Sequence, residues 1–320
     1  MGNFLADKKG EKSVAALDEE RELIKDYSAR VIETIREQAA TGPRTYGFEY
    51  EFLPESPLSL DIMEEIYKFL PSCGFLPEGD RFMSSSGIYL TFEPGGQIEY
   101  HSTPMPGWDE ARFRETISLF GDTNRAILKE VGVNYLGVGY LPGRREAPLC
   151  LTSKRYRNLH ARMKHSGTRG REMMKGTASI HLHVGIRHVH ELVPLFQKLC
   201  ELSFIQAFGM SPDRRDIWNN TDPGRCGNAV CRDGKFANPE ELTRSLVQFA
   251  VEADTLKENI PFIEKREVSF DEFFYHLTTI FTDVRLNLKR NTVEMRTLDS
   301  MQPDRFEEKW RQFISILQEV

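Results

Sequence analysis

The chain has little cysteine, and its spacing suggests no pairing. Cys73, Cys150, Cys200, Cys226 and Cys231 are the only five in 320 residues, and none forms a CxxC pair. That excludes a zinc ribbon, argues against a disulfide framework and predicts a reducing compartment. Cys226 and Cys231 lie close together, but no second pair completes a metal site, so both read as incidental. No apolar run is long enough to cross a bilayer. The opening MGNFLADKKGEKSV lacks the apolar stretch of a secretory signal. It begins Met-Gly, yet Ala6 stands where myristoylation wants Ser or Thr. Basic excess is missing too: the formal net charge is -6, against the footprint of a nucleic-acid binder. These absences predict a soluble, cytoplasmic protein with neither nucleic-acid nor membrane partners, and they leave its oligomeric state open. There is no GxGxxG and no Walker loop, which excludes the usual signatures of doubly wound nucleotide folds. Internal repeats and a linker marked by a shift in composition are also absent.

What remains is ordinary globular material, 40 % hydrophobic and 28 % charged, enough for one large core. Residues 1–15, rich in Lys, Gly and Asp, read as a disordered lead-in, and 16–320 as a single domain. Apolar residues at helical spacing predict helices over 17–39, 60–70, 108–131, 154–164, 189–210, 239–253 and 270–281, with a last one from Pro303. Strand-like stretches cover 46–53, 88–92, 97–101, 134–140, 177–186 and 292–298. The turn Glu93-Pro94-Gly95-Gly96 separates the second and third of these. Residues 211–238, dense in Gly, Pro, Asn, Asp and Arg, read as a long functional loop. Strands and helices mix without a βαβ rhythm, so the fold class is α+β with a largely antiparallel sheet.

Several strands carry ionisable residues two apart, hence on one face. Glu49 pairs with Glu51, Gln97 with Glu99, His181 with His183, and Glu294 with Arg296. One such pair is usually a solvated sheet face. Four pairs, three of them set in apolar runs (GFEYEF, TASIHLHVG, TVEMRTL), point to a carboxylate-rich site borne on a sheet. Oxygen donors with an imidazole suit magnesium or manganese better than zinc. The chemistry indicated is metal-assisted handling of phosphate, with arginines close by.

The segments GFEYEF, FEPGGQIEY, GTRGREMMKGTASIHLHVG, RRDIWNNTDPGRCG, FFYHLTTIFTDVRL and TVEMRTLD occur in that order over about residues 46–302. This series resembles the successive motifs of glutamate–cysteine ligase family 2, in its plant and proteobacterial branch. The resemblance implies a glutamine-synthetase-like catalytic domain whose antiparallel sheet forms a funnel flanked by helices. It implies two or three Mg2+ ions (or Mn2+), with ATP as co-substrate. The reaction implied activates the γ-carboxylate of glutamate as an acyl phosphate and joins it to the amine of cysteine, a step of glutathione biosynthesis.

Carried over by position, Glu49, Glu51, Glu93, Glu99, His181 and Glu294 resemble the metal ligands, with His183 beside them. Arg296 resembles the arginine that neutralises the transferred phosphate, and Arg285 falls in a catalytic stretch. His276, Thr221 and Trp218 fall where the nucleotide is bound. Arg214, Arg225 and Gln97 fall where substrate is bound, the two arginines suiting an α-carboxylate. The chain departs from the family at Phe48, Tyr50 and Phe52, at Tyr100-His101-Ser102-Thr103, and at His181-Leu182-His183. These departures alter pocket residues and spare the carboxylates. A paralogue using another amine, a non-catalytic binding relative and a metallohydrolase therefore stay open as alternative readings.

Overall fold

Strict alternation of side chains, more than any single residue, decides how this chain folds. The computed structural model describes residues 14–165, 167–233, 235–265 and 268–320. Its strands are β1 (Tyr46–Pro54), β2 (Phe75–Glu78), β3 (Arg81–Ser84), β4 (Tyr89–Phe92), β5 (Ile98–His101), β6 (Tyr135–Leu136), β7 (Ser179–Gly185), β8 (Cys226–Gly227), β9 (Phe281–Thr282), β10 (Val284–Asn287) and β11 (Thr292–Asp299). The helices are α1 (Val14–Glu37), α2 (Leu60–Phe69), α3 (Glu110–Val131), α4 (Lys154–His165), α5 (Gly170–Gly176), α6 (Leu192–Ser203), α7 (Pro212–Asn219), α8 (Ala229–Asp233), α9 (Pro239–Glu252), α10 (Phe270–Leu277) and α11 (Pro303–Gln318). One sheet runs in the order β10-β11-β7-β1-β5-β4-β3-β2, with β6 added to β1, and β8 and β9 form a separate parallel pair. Every pairing in the large sheet is antiparallel. The α+β class expected from the sequence is therefore what the chain adopts.

β1 shows why the sheet has two unlike faces. Phe48, Tyr50 and Phe52 point one way and Glu49 and Glu51 the other, as period-two geometry requires. The aromatic side meets α3 and α11. The Phe48 ring lies 5.0 Å from both Phe306 and Trp310 of α11, and 6.2 Å from Phe120 of α3. Tyr100 of β5 stacks on Phe120 at 4.4 Å. The Tyr50 hydroxyl, fully buried, donates to the Met301 carbonyl at 2.5 Å, so this polar tip has its partner.

Several boundaries differ from the sequence reading. Of the expected lead-in, residues 1–13 lie outside the described residues, while Val14 and Ala15 already belong to α1. The helix expected to run to 210 stops at Ser203, and Phe204 and Ile205 are exposed in the turn beyond it. The expected loop over 211–238 contains α7 and α8; Pro212, whose fixed φ suits a first helical turn, starts the former. The segment 134–140 yields only the two residues of β6, and α10 ends at Leu277, so that β9 and β10 can form. Among the described residues Cys200 and Cys231 form a disulfide joining α6 to α8, contrary to expectation. A separation of 31 residues hid the pair, and only the packing of these two helices brings the thiols together. No helix among the described residues is long and apolar enough to cross a membrane.

Trp310 is fully buried at the centre of the aromatic layer. Trp310→Ala is expected to destabilise the protein by about 3–5 kcal/mol, the usual cost of an aromatic deletion in a core. Chemical denaturation should show this as a lowered midpoint with an unchanged slope.

Candidate functional site

The other face of the sheet is polar, and it is not wet. Glu49, Glu51, Glu99, His101, His181, His183, Glu294 and Arg296 are all buried. Alternation on β1, β5, β7 and β11 delivers them to one surface, and register places them against one another. Glu49 is opposite His101 on one side and His181 on the other, Glu294 is opposite His183, and Glu51 is opposite Glu99. The last pairing sets two like charges directly across from each other, which a sheet ordinarily avoids.

Short polar contacts fix the cluster. The His181 Nδ1–H donates to Glu49 Oε2 at 2.7 Å, which leaves Nε2 facing Ser179 Oγ at 2.8 Å. The Ser179 amide donates to Glu51 Oε2 at 2.7 Å. Thr91 of β4 donates to Glu99 Oε2 at 2.9 Å. Arg285 Nη2, from β10, donates to both oxygens of Glu294 at 3.0 and 2.9 Å, joined by Asn287 at 3.1 Å and by Arg296. Arg290, from the turn between β10 and β11, pairs with Glu49 and with the Tyr89 hydroxyl.

The charges divide into two groups. Burial pushes Glu49 up, but Arg290 and then His101 outweigh it, holding the carboxyl well below its usual range. Burial pushes Glu294 up as well, and Arg285 and Arg296 overcome it in the same way. At Glu93 the balance is reversed, because Arg155 and Arg296 are outweighed. Burial, then the charges of Glu99 and Glu51, drive it well above the ordinary carboxylate range. Glu51 is also raised, chiefly by burial, with His181 opposing. For His101, burial favours the neutral ring, but Glu99 and Glu49 outweigh it and lift the value to about 9.

A cavity opens over this face between the sheet and α4, α5 and α7. Beside the strand residues it is lined by Glu93, Arg155, Tyr156, Met174 and Trp218. The turn before β5 forms part of its floor. Gln97 holds that turn, accepting from the Gly95 amide at 2.8 Å and donating to the Met174 and Thr177 carbonyls at 3.1 and 3.0 Å. A β-carbon at Gly95 would lie 2.6 Å from Lys175 Cα, so the turn can pass this close only as glycine.

Of the residues singled out from the sequence, Glu49, Glu51, Glu93, Glu99, His181, Gln97, Trp218, Arg285 and Arg296 line the cavity. Glu294 lies beneath it, within reach of both arginines. Four others are elsewhere. Arg214 is enclosed, its terminal nitrogens donating to the Arg296 and Thr297 carbonyls and to Asp299. The pairing of β11 with β7 shifts register between Met295 and Leu298, and these are carbonyls within that bulge. Arg214 thus braces the strand that carries Glu294 instead of gripping a ligand. Arg225 is fully buried and committed to Asp222, Thr279 and the Asp254 carbonyl. Thr221 turns back to the Ile217 carbonyl at 2.8 Å. His276 donates from Nε2 to the Ala250 carbonyl at 2.8 Å and stacks on Phe262, behind the cavity wall. The sequence reading missed His101, Thr91, Tyr89, Ser179, Arg155 and Arg290. Alternation on β4, β5 and β7 was signal enough for the first four; nothing local marked the two arginines.

The donor atoms lie close enough together to share a cation. Two groups each bring ligand atoms within 4.8 Å of one another: Glu49 with His183 and Glu294, and Glu49 with Glu99 and His181. His183 Nε2 is buried without a hydrogen-bond partner, and Glu51, Glu93 and Glu99 repel one another. Unpaired nitrogen and crowded carboxylates are what a divalent ion would relieve, so the residues fit one.

The sequence model of glutamate-cysteine ligase family 2 matches residues 45–203, the span holding β1, β5 and β7. The chloroplastic glutamate–cysteine ligase of Arabidopsis thaliana is 25 % identical over 254 residues, 69 % of this chain and 48 % of that protein. The glutamate–cysteine ligase EgtA of Mycobacterium tuberculosis is 25 % identical over 304 residues, 81 % of this chain and 64 % of that one. The chain spans about half the length of the plant relatives it matches. A solved structure described as a novel glutamine synthase homolog overlaps 92 % of this chain and 57 % of its own, at 13 % identity and a TM-score of 0.33.

Burial of His276 links the stability of the fold to pH. Its folded pKa is lowered to about 4, burial being the main cause, so between pH 6.5 and 4 the unfolded chain binds the proton and the folded one does not. Stability should therefore fall as pH drops through that window, by up to about 3 kcal/mol from this group. His276→Gln, which keeps a donor for Ala250, is expected to flatten the dependence of the urea midpoint between pH 7 and 5.

Proposed function

Since the chain belongs to glutamate–cysteine ligase family 2, we propose that it is an ATP- and Mg2+-dependent carboxylate–amine ligase, with glutamate as donor and cysteine as acceptor. The product would be γ-glutamylcysteine, the precursor of glutathione, made where ATP and free amino acids are available. One observation supports this reading above the rest. An enclosed sheet face combines crowded carboxylates with arginines aimed at them, the arrangement that phosphoryl transfer needs and a solvated sheet face would not keep.

A divalent ion held by Glu49, Glu51, Glu99, His181 and Glu294 would neutralise phosphate charge as the phosphoryl group moves. The chain's own residues do the remainder. In the first step an oxygen of the donor carboxylate bonds to the γ-phosphorus of ATP, and the bond from that phosphorus to the ADP oxygen breaks. Arg296, which lines the cavity and has an unpartnered Nε–H, is placed to meet the developing charge. Arg155, whose Nε–H is also unpartnered, offers a second donor from α4. In the second step the amine nitrogen bonds to the acyl carbon, and the carbon–oxygen bond to phosphate breaks. The amine's proton passes to a carboxylate on the cavity wall; Glu93, with its raised pKa, is suited to hold it. Met174, Leu159 and Trp218 keep that wall dry, protecting an acyl phosphate from water. None of the three free cysteines lines the cavity, in keeping with a route that needs no covalent enzyme intermediate.

The test is ADP release measured with ATP, magnesium, glutamate and a panel of amines. Release should require both a carboxylate and an amine; release of product without ATP would instead support a metallohydrolase. Glu294→Ala is expected to lower turnover by at least about a thousandfold while the chain stays folded, since a buried ligand for charge is lost; near-normal turnover would remove Glu294 from the site. Arg296→Lys keeps the charge and loses the planar fork, so kcat should fall more than the affinity for ATP.

A further inference from the structure

A second chamber, of about 230 Å³, opens beside the main cavity and meets it at Glu49, Thr278 and Arg285. The hairpin joining β10 to β11 forms one side of it, with Asn287, Lys289 and Arg290, while Phe274 and Leu277 of α10 supply an apolar side. Its charge is one-sided. Arg285, Lys289 and Arg290 face it, and among the described residues Glu49 is the only acidic one that lines it. Lys289 is exposed and makes no ion pair among the described residues. The hairpin tip is firmly placed. Asn291 adopts φ +50°, and its amide donates at 3.1 Å to the carbonyls of both Ile186 and Gln38. Arg290 is consequently held at the rim, its side chain one-third exposed.

Glu49 lines both spaces, and its two oxygens have different partners. Oε2 takes the His181 hydrogen bond, whereas Oε1 meets Arg290 and lies 3.2 Å from His101 Nδ1 and 3.6 Å from His183 Nε2. A molecule entering the chamber therefore finds a carboxylate at the inner end, cations at the rim and an apolar wall between. That sequence of groups matches an α-amino acid lying with its ammonium inward and its carboxylate outward. Taking the ligase reading above as given, we infer that this chamber binds the acceptor, and that the acceptor is an amino acid whose own carboxylate is gripped by Lys289 and Arg290. A simple amine would leave Lys289 unanswered. Arg290 exchanges Glu49 for that carboxylate, so its fork changes partner without losing charge compensation. No bond forms or breaks in this step; the attack itself is the one already described.

The test compares L-cysteine with cysteamine, which lacks only the carboxylate, in wild type, Lys289→Glu and Arg290→Gln, at saturating ATP, Mg2+ and glutamate. Wild type should favour L-cysteine in kcat/KM by about tenfold or more, the range for a charge-assisted contact. Lys289→Glu should lower the L-cysteine value by a similar factor and leave cysteamine within about threefold. Arg290→Gln should lower both, and the preference with them. Equal use of the two amines by wild type would overturn the inference. A Lys289→Glu defect that appears only in the KM for ATP or for glutamate would also overturn it, assigning the chamber to a phosphate or to the donor. Calorimetry of L-cysteine with a non-hydrolysable ATP analogue, Mg2+ and glutamate separates failure of the ligase reading from failure of this one. Binding weakened about tenfold by Lys289→Glu, without turnover, would sustain the subsite alone, and no binding to wild type would sink it.

Discussion

The Glu49 carboxylate stands in the middle of the sheet, away from water, and cationic or hydrogen-bonding groups reach it from three directions. His181 comes from the neighbouring strand β7, His101 from β5 on the other side, and Arg290 from the hairpin above. An unpaired buried carboxylate would be costly and would neutralise itself by taking a proton. Its ionisation at neutral pH therefore requires that β5, β7 and the β10–β11 hairpin all be in place. Local chemistry and global topology are the same requirement at this residue.

Around that centre the protein keeps apart two tasks that each strand performs at once. The even-numbered residues of β1 hold the aromatic layer that binds α3 and α11 to the sheet, while the odd-numbered ones furnish the site. Rigidity passes from the first to the second: Phe48 and Tyr50, packed against Phe306 and Phe120, fix the backbone from which Glu49 and Glu51 project. Arg214 does comparable work at the far edge, holding the bulge of β11 so that Glu294 and Arg296 can meet the same focus.

Period two made the carboxylate face readable, because alternation assigns side chains to faces without reference to tertiary contacts. It could not say whether that face was wet, since enclosure comes from α4, α5 and α7, two of which are short and hidden in turn-rich sequence. Arginines were least legible. Arg214 and Arg225 lie in a motif that suggested ligand binding, yet their long side chains serve carbonyls and carboxylates distant in sequence. Arg290, in a stretch with no motif of its own, reaches Glu49 across 241 positions. The same holds for Cys200 and Cys231. Where a contact depends on length of reach or on helix packing, the local pattern contains no trace of it.

The parity of β1 has a consequence for how such a chain can vary. Substitution at any one position of the strand affects one face, and its effect can be graded. Gain or loss of a single residue between Tyr46 and Pro54 would exchange the faces, driving two carboxylates into the aromatic layer and three rings into the cavity. Length changes are thus barred from the central strands and must fall in the connections. The hairpin between β10 and β11 is such a connection, and because it carries Arg290 to Glu49, a change in its length would be felt at the reactive centre while the register of the central strands stayed as it is.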